Sequence, residues 1–310
     1  MPKGYLYVFL LVLLACATAN CSLFQSGPAQ PVKLDRNAAA KVIGEIEKER
    51  AENNNWLRAD PTSYLAAIDR IDFNRKQSLT VGRADDNDLH LPAPDIEPHH
   101  LRVTVAGDRF RIECVDANAR FKIKEETKWE ATVDPSYIQV GRYMLRLSHQ
   151  RFPALIVFDP QSPRFKEYKG LSYFPIDLSC RYELPLRRYQ KPEKIIIMST
   201  RRNERSADHV GWVEFLVGDT PCRLEVMRLL EPGESELEIF FRDATSGNET
   251  YGLGRYVDLK KLENGKYLLD FNIAYNPACA FSEYYNCPVP PKENTLKAKI
   301  RAGEMDPHYH

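Results

Sequence analysis

Phe240 to Leu259 reads FFRDATSGNETYGLGRYVDL, and Leu268 to Glu304 reads LLDFNIAYNPACAFSEYYNCPVPPKENTLKAKIRAGE. No 3.6-residue apolar stripe runs through either segment, so neither reads as an amphipathic helix. Polar residues stand among the apolar and aromatic ones: Asp243, Glu249, Arg255, Asn272, Asn276, Glu293 and Asn294. Strands that bury a core tolerate such groups where they bond one another or a ligand. The last third of the chain therefore reads as β structure closed by a polar constellation.

Working back from this block, short apolar runs alternate with turn residues. KIIIMST (194–200), HVGWVEFLV (209–217), CRLEVMRLL (222–230), ELEIFFRD (236–243), TYGLGRYVDL (250–259) and KYLLDFNIAY (266–275) are candidate strands. Their connections are too short for parallel crossovers, so neighbours must be antiparallel. Asn264-Gly265 is the strongest hairpin signal. Six strands in sequential order make a meander, curled or closed into a partial barrel. Phe165, Tyr168, Tyr173 and Phe174, in the join before it, are placed to plug one end. Prolines at 277, 288, 290 and 291 keep the following stretch out of a sheet interior. That stretch is expected to be a long ordered loop.

Strand order brings Asn272 and Asn276 to the same end as the Asp243–Glu249 turn, with Arg255 beside them. Asp243 or Glu249 should pair with Arg255. Two readings stay open at this point. In one, amides and carboxylates pin the loop to the sheet and need no ligand. In the other, Asp243, Glu249, Arg255, Asn272, Asn276, Glu293 and Asn294 line a small polar pocket for a solute. A hydrolase using the same cluster is an alternative to plain binding, and a purely structural module is a second. No Walker loop, dinucleotide fingerprint, G-x-S-x-G elbow or H-E-x-x-H is present, and nothing in the sequence calls for a cofactor or metal.

DFNIAYNPACAF, CPVPPKENTL, the DATSGNETYGLGRY turn and the closing AGE resemble the bacterial family called domain of unknown function 1684. The resemblance reaches back to about FDPQSPRFKEYKGLSYFPID. It implies a fold and the position of a site; the family carries no established activity.

The chain opens with Lys3 before the apolar run YLYVFLLVLLA (5–15), too short to span a bilayer and suited to a signal-peptide core. Leu13-Leu14-Ala15-Cys16 resembles a bacterial lipobox, in which Cys16 would be acylated and become the first mature residue. Cleavage before Cys21 is the weaker alternative. Residues 16–35 then form a tether. The expected location is the cell envelope, anchored by lipid and facing the periplasm or exterior. An oxidising compartment permits a disulfide between Cys279 and Cys287. Cys114 and Cys222, in apolar runs, read as core thiols.

Lys plus Arg and Asp plus Glu both number 43, so no net field draws the chain to nucleic acid. The partners expected are the membrane, through the lipid anchor, and a small-molecule ligand. Residues 36–72 read as helical: AAAKVIGEIEKERAE has helical spacing, Asn53–Asn55 and Asp60-Pro61 break it, and a second short helix follows from Thr62-Ser63.

From Phe73 the period shortens. SLTVGRADDNDLHL (78–91), DIEPHHLRVTV (95–105), FRIECV (110–115), RFKIK (120–124), YIQVGRYMLRL (137–147) and ALIVFD (154–159) read as short strands separated by turns. Gly82-Arg83, Asp88, Leu91, Ile96, His100, Val103 and Asn118 fall in the order of a forkhead-associated domain, although Ala119 replaces its usual glycine. The resemblance implies a β-sandwich over about 73–160. It also implies phosphothreonine recognition by Arg83 and a serine just before the motif's histidine region. Glu97 stands in that serine's place, and a carboxylate repels a phosphate. The expectation is a retained scaffold without phosphothreonine specificity. His99 and His100 are strand neighbours that point to opposite faces, which suits a packed histidine better than a metal pair. The whole is thus read as mainly β: an N-terminal helix, a forkhead-associated-like sandwich, and a C-terminal β-domain over 161–310 with a long final loop.

Overall fold

The structure, a computed structural model, describes residues 27–231 and 236–309. The expected signal peptide, with Cys16 and Cys21, lies outside the described residues.

A helix spans Arg36–Ala59, capped by the Asp35 carboxylate, which accepts from the backbone N–H groups of Asn37 and Ala38 at 2.9 Å each. The asparagine triplet does not break it. Asparagine costs a helix only tenths of a kcal/mol, and tertiary contacts outweigh that. Asn54 accepts from Tyr168 Oη at 2.7 Å and from the Leu171 N–H at 3.1 Å, while Leu57 is buried. Arg50 donates to the carbonyls of Asn272 and Phe174, which fastens the helix to the C-terminal domain. The second helix expected from Thr62 is not formed. Asp60 Oδ1 takes the Thr62 N–H, Ser63 Oγ donates to the Leu57 carbonyl, and Ala67–Asp72 becomes a strand paired antiparallel with Ala154–Phe158. A full ladder satisfies more backbone groups there than one helical turn would.

The sandwich has two sheets. One orders its strands Ala67–Asp72, Ala154–Phe158, Tyr143–Ser148, Tyr137–Val140, Phe121–Ile123 and Glu126–Lys128. The other orders Leu89–His90, Ser78–Gly82, Leu101–Ala106, Arg109–Cys114 and Glu130–Val133. Their inner faces share one core that includes Val81, Val103, Phe110, Ile112, Cys114, Leu145, Leu155 and Val157. Ala154–Phe158 is buried along its whole length. Its alternate residues Ile156 and Phe158 enter a second core with Ala207, Met227, Phe240, Tyr256 and Tyr285 of the C-terminal domain. A continuous apolar run without alternation is the signature of a strand covered on both faces.

In the C-terminal domain five strands follow in sequential order: Arg187–Met198, Glu204–Val217, Thr220–Leu229, Glu238–Phe241 and Arg255–Asp258. This is the expected meander, and the sheet does not close into a barrel. The sixth expected strand, Tyr267–Asp270, lies in a separate sheet between Arg181–Leu184 and Lys260–Lys261. With both edges paired it cannot extend the meander. The free edge of Arg255–Asp258 is met by Tyr275, whose N–H and C=O exchange bonds with Tyr256 at 3.0 and 2.9 Å. The hairpin at Asn264-Gly265 forms, with Gly265 at φ +80°. Successive side chains divide the cores: Phe241 packs with Phe215 and Phe271, while Phe240 faces the sandwich. From Ala274 the chain is an ordered loop with short helical turns, as its prolines require.

Candidate functional site

The site is built on a buried ion pair. Arg255 Nη2 donates to Asp243 Oδ2 at 2.8 Å, with both side chains shut off from solvent. Asp243 Oδ1 accepts from the Thr245 N–H at 2.6 Å and from the Thr245 hydroxyl. Burial pulls the Arg255 guanidinium below its ordinary range, and the Asp243 charge opposes that. The other three Nη protons go to backbone carbonyls: Ile300 at 2.8 Å, Glu304 at 3.1 Å, and Ala302. Five donors in a fixed fork suit this convergence of one carboxylate and three carbonyls. The residue expected beside Asp243 thus secures the closing segment, and Glu304 with it.

Gly303 makes that path available. Its φ is +80°, and a Cβ there would stand 2.5 Å from the Ala274 carbonyl oxygen and 2.6 Å from that of Phe271. The next residue, Glu304, is buried. Its Oε2 accepts from the Asn276 N–H at 2.8 Å, and Tyr173 Oη donates to Oε1 at 3.4 Å. Burial pushes the Glu304 carboxyl up to about 7, against the pull of these hydrogen bonds and of Arg255. The Asn276 amide nitrogen donates to the Met305 carbonyl at 2.8 Å, while its Oδ1 is buried without a partner among the described residues.

Glu304 and Asn276 line a cavity of about 350 Å³ between the N-terminal helix and the C-terminal domain. The helix contributes Glu49, Asn53, Trp56 and Leu57 to its wall. Trp56 and Tyr64 meet edge-on with ring centroids 4.8 Å apart, and Tyr64 lies 5.6 Å from Phe281. Asp258 stands at the rim, accepting from Tyr275 Oη at 3.1 Å. Its carboxyl is raised by burial, and that of Glu49 by burial and then by the charges of Asp270 and Asp258. Three carboxyl groups and several aromatic rings line this cavity, and among the described residues no lysine, arginine or histidine does.

Of the residues singled out in the sequence, Asn276 lines the cavity, and Asp243 with Arg255 supports it from behind. Asn272 is fully engaged: Oδ1 accepts from the Asp177 N–H at 2.8 Å, and Nδ2 donates to the Asp177 carbonyl and to Asp270 Oδ1. Asn294 clamps two strands through Glu225 and Phe240. Glu249 pairs at the surface with Arg301 at 2.8 Å, away from Arg255, and Glu293 is exposed on the loop. A pinning role therefore accounts for Asn272 and Asn294. Glu49, Trp56, Tyr64, Asp258 and Glu304 carried no separate signal beyond the place of Glu304 in the closing AGE. Cys279 and Cys287, the candidate disulfide pair, are buried neighbours, and the Cys279 N–H donates to Cys287 Sγ at 3.2 Å. Cys114 and Cys222 are buried in the sandwich and C-terminal cores respectively.

In the sandwich, His100 is buried and bonded to backbone at both nitrogens: Nδ1 accepts from the Glu97 N–H at 3.0 Å, and Nε2 lies 2.8 Å from the Arg120 carbonyl. His99 points to the surface. Arg83 is exposed, its Nε donating to the Ile96 carbonyl at 3.1 Å. Gly82 accommodates a close crossing, since a Cβ there would stand 2.2 Å from the Pro98 carbonyl oxygen.

Residues 166–305 match the family model described as Protein of unknown function (DUF1684), and residues 79–126 match that of the FHA domain. Among solved structures, an uncharacterized protein of Haloarcula marismortui aligns at 31% identity over 49% of this chain and 85% of its own, with a TM-score of 0.38. The FhaA FHA domain aligns at 16% identity over 26% of this chain and 81% of its own, with a TM-score of 0.21. Mycobacterium tuberculosis EmbR, in complex with a low affinity phosphopeptide, aligns at 15% identity over 41% of this chain and 32% of its own, with a TM-score of 0.21. No curated protein matches the chain. Through its C-terminal domain, preceded by an FHA domain, the chain belongs to the DUF1684 family.

Proposed function

We propose that this protein is a lipid-anchored envelope lipoprotein that binds a small organic cation in the cavity floored by Glu304. The acidic, aromatic lining carries this reading. A carboxylate in a largely desolvated site attracts a cation strongly, and the faces of Trp56 and Tyr64 add cation–π attraction for an ammonium group. The Asn276 Oδ1 would accept a hydrogen bond from a primary or secondary amine. Binding of choline and of butylamine to the full-length chain in detergent, followed by isothermal titration, tests the reading. Saturable binding that Glu304→Gln removes supports it; absence of binding by either amine rejects it.

The anchor rests on the Leu13–Cys16 sequence. Mass spectrometry of the mature N-terminus should find a diacylglyceryl group on Cys16, lost in Cys16→Ala; an unmodified start at another residue rejects the anchor. A second reading is favoured by the Glu304 carboxyl titrating near neutrality, as a general acid–base requires. In that case a bound amine-bearing substrate would be turned over rather than released unchanged.

A further inference from the structure

A second cavity, of about 200 Å³, lies where the outer face of the sandwich meets the C-terminal domain. Arg146 and Ser148 occupy alternate positions of the strand Tyr143–Ser148, so both project from the sandwich toward that domain. Their intervening neighbours, Leu145 and Leu147, belong to the sandwich core. Ile156, opposite Arg146 on the next strand, joins the core between the two domains. From the other side the proline-rich loop brings Asn286.

The polar groups here are unusually idle. Ser148 and Asn286 are each 3% exposed, yet Ser148 Oγ and both polar atoms of the Asn286 side chain have no hydrogen-bond partner among the described residues. Arg146 likewise has no hydrogen bond or ion pair among them, although its charge acts on the nearby phenols of Tyr64 and Tyr285. Arg205, by contrast, is spent: it pairs with Glu231 and donates to the Asn286 backbone carbonyl at 3.0 Å. The lining carboxylate Glu238 has an interaction of its own. Buried polar groups are satisfied in folded proteins, and each left unmade costs free energy. One guanidinium, one hydroxyl and one primary amide, all buried or half-buried and facing one small space, are a matched set for a carboxylate. The guanidinium and the Ser148 hydroxyl donate to its oxygens, and the Asn286 carbonyl is left to accept from a hydroxyl on the same molecule.

We propose that this interdomain cavity is a second binding site, for a small hydroxycarboxylic acid. It is separate from the Glu304 cavity in its charge preference, although Tyr64 and Tyr275 contribute to both walls. Bridging the sandwich strand and the proline-rich loop, such a ligand joins the two domains.

Lactate titrated into the full-length chain in detergent tests this, with propionate and inorganic phosphate as comparisons. Lactate should bind saturably and raise the melting temperature, and propionate, lacking the hydroxyl, should bind more weakly. Arg146→Gln should weaken lactate binding at least ~10-fold, and Ser148→Ala should weaken it less. Glu304→Gln should leave lactate binding unchanged while removing amine binding, so the two sites fail independently. Absence of saturable lactate binding, or binding indifferent to Arg146→Gln in a variant with an unchanged circular dichroism spectrum, would overturn the proposal. Phosphate binding more tightly than lactate would overturn the assignment to carboxylates.

Discussion

Arg255 and Asp243 form an ion pair at 2.8 Å whose other guanidinium contacts are the carbonyls of Ile300, Ala302 and Glu304. One buried charge thus determines where the end of the domain runs. Removing it strands a buried carboxylate and three carbonyl oxygens together. Arg255→Ala is expected to lower stability by about 3–5 kcal/mol in urea denaturation. A loss below about 1 kcal/mol would mean that the closing segment is held by other contacts.

Gly303 adopts φ +80° with two carbonyl oxygens against its α-carbon face. Gly303→Ala should cost roughly 2–3 kcal/mol through left-handed strain and displaced backbone. Because Glu304 follows directly, the same substitution should abolish amine binding even in the folded fraction. Calorimetric melting and titration on one sample read both effects.

Glu304 contributes a pH dependence whose sign is fixed by its raised carboxyl. In the unfolded chain it titrates near 4.5, and in the folded protein near 7. Between those values the native state binds more protons than the unfolded state, so stability falls as pH rises from 4.5 to 7 and levels off above. The loss should reach about 3 kcal/mol at most, and Glu304→Gln should flatten this part of the profile. Urea midpoints measured at intervals from pH 4.5 to 8 in the two proteins check it.

The FHA domain has an exposed Arg83, and the forkhead-associated resemblance implies a phosphate-binding serine where this chain has Glu97. A phosphothreonine peptide library should therefore show no tight binder. Glu97→Ser should create measurable affinity that Arg83→Ala then removes. Tight binding by the unaltered chain, lost on Arg83→Ala, would contradict this reading.

Legibility in the sequence followed the range of the contacts. The hairpin at Asn264-Gly265 and the strand periods are set by neighbours in the chain, and they were readable. That Arg255 pairs with a carboxylate of the preceding turn was readable too, with Asp243 and Glu249 left as alternatives; the structure gives Asp243. Three features were not. Residues 67–72 take strand form because Ala154–Phe158 offers them an edge, a partner about 85 residues away. Tyr267–Asp270 leaves the meander because Arg181–Leu184 claims its other edge. Glu49 and Trp56 face a cavity only because Arg50 and Asn54 dock the helix on the C-terminal domain. On its own helix Glu49 reads as part of a solvated charged face. Asn272 and Asn294 were chosen for polarity within apolar segments, and that signal marks backbone clamps as readily as ligand contacts.

Under the proposed function Glu304 is the anionic floor of a cation site, and isothermal titration of choline at pH 8 and pH 5.5 reads that role. With a carboxyl titrating near 7, affinity should be at least ~10-fold higher at pH 8, and Glu304→Gln should erase both the binding and its pH dependence. Choline binding of equal strength at the two pH values, or retained in Glu304→Gln, would contradict the account.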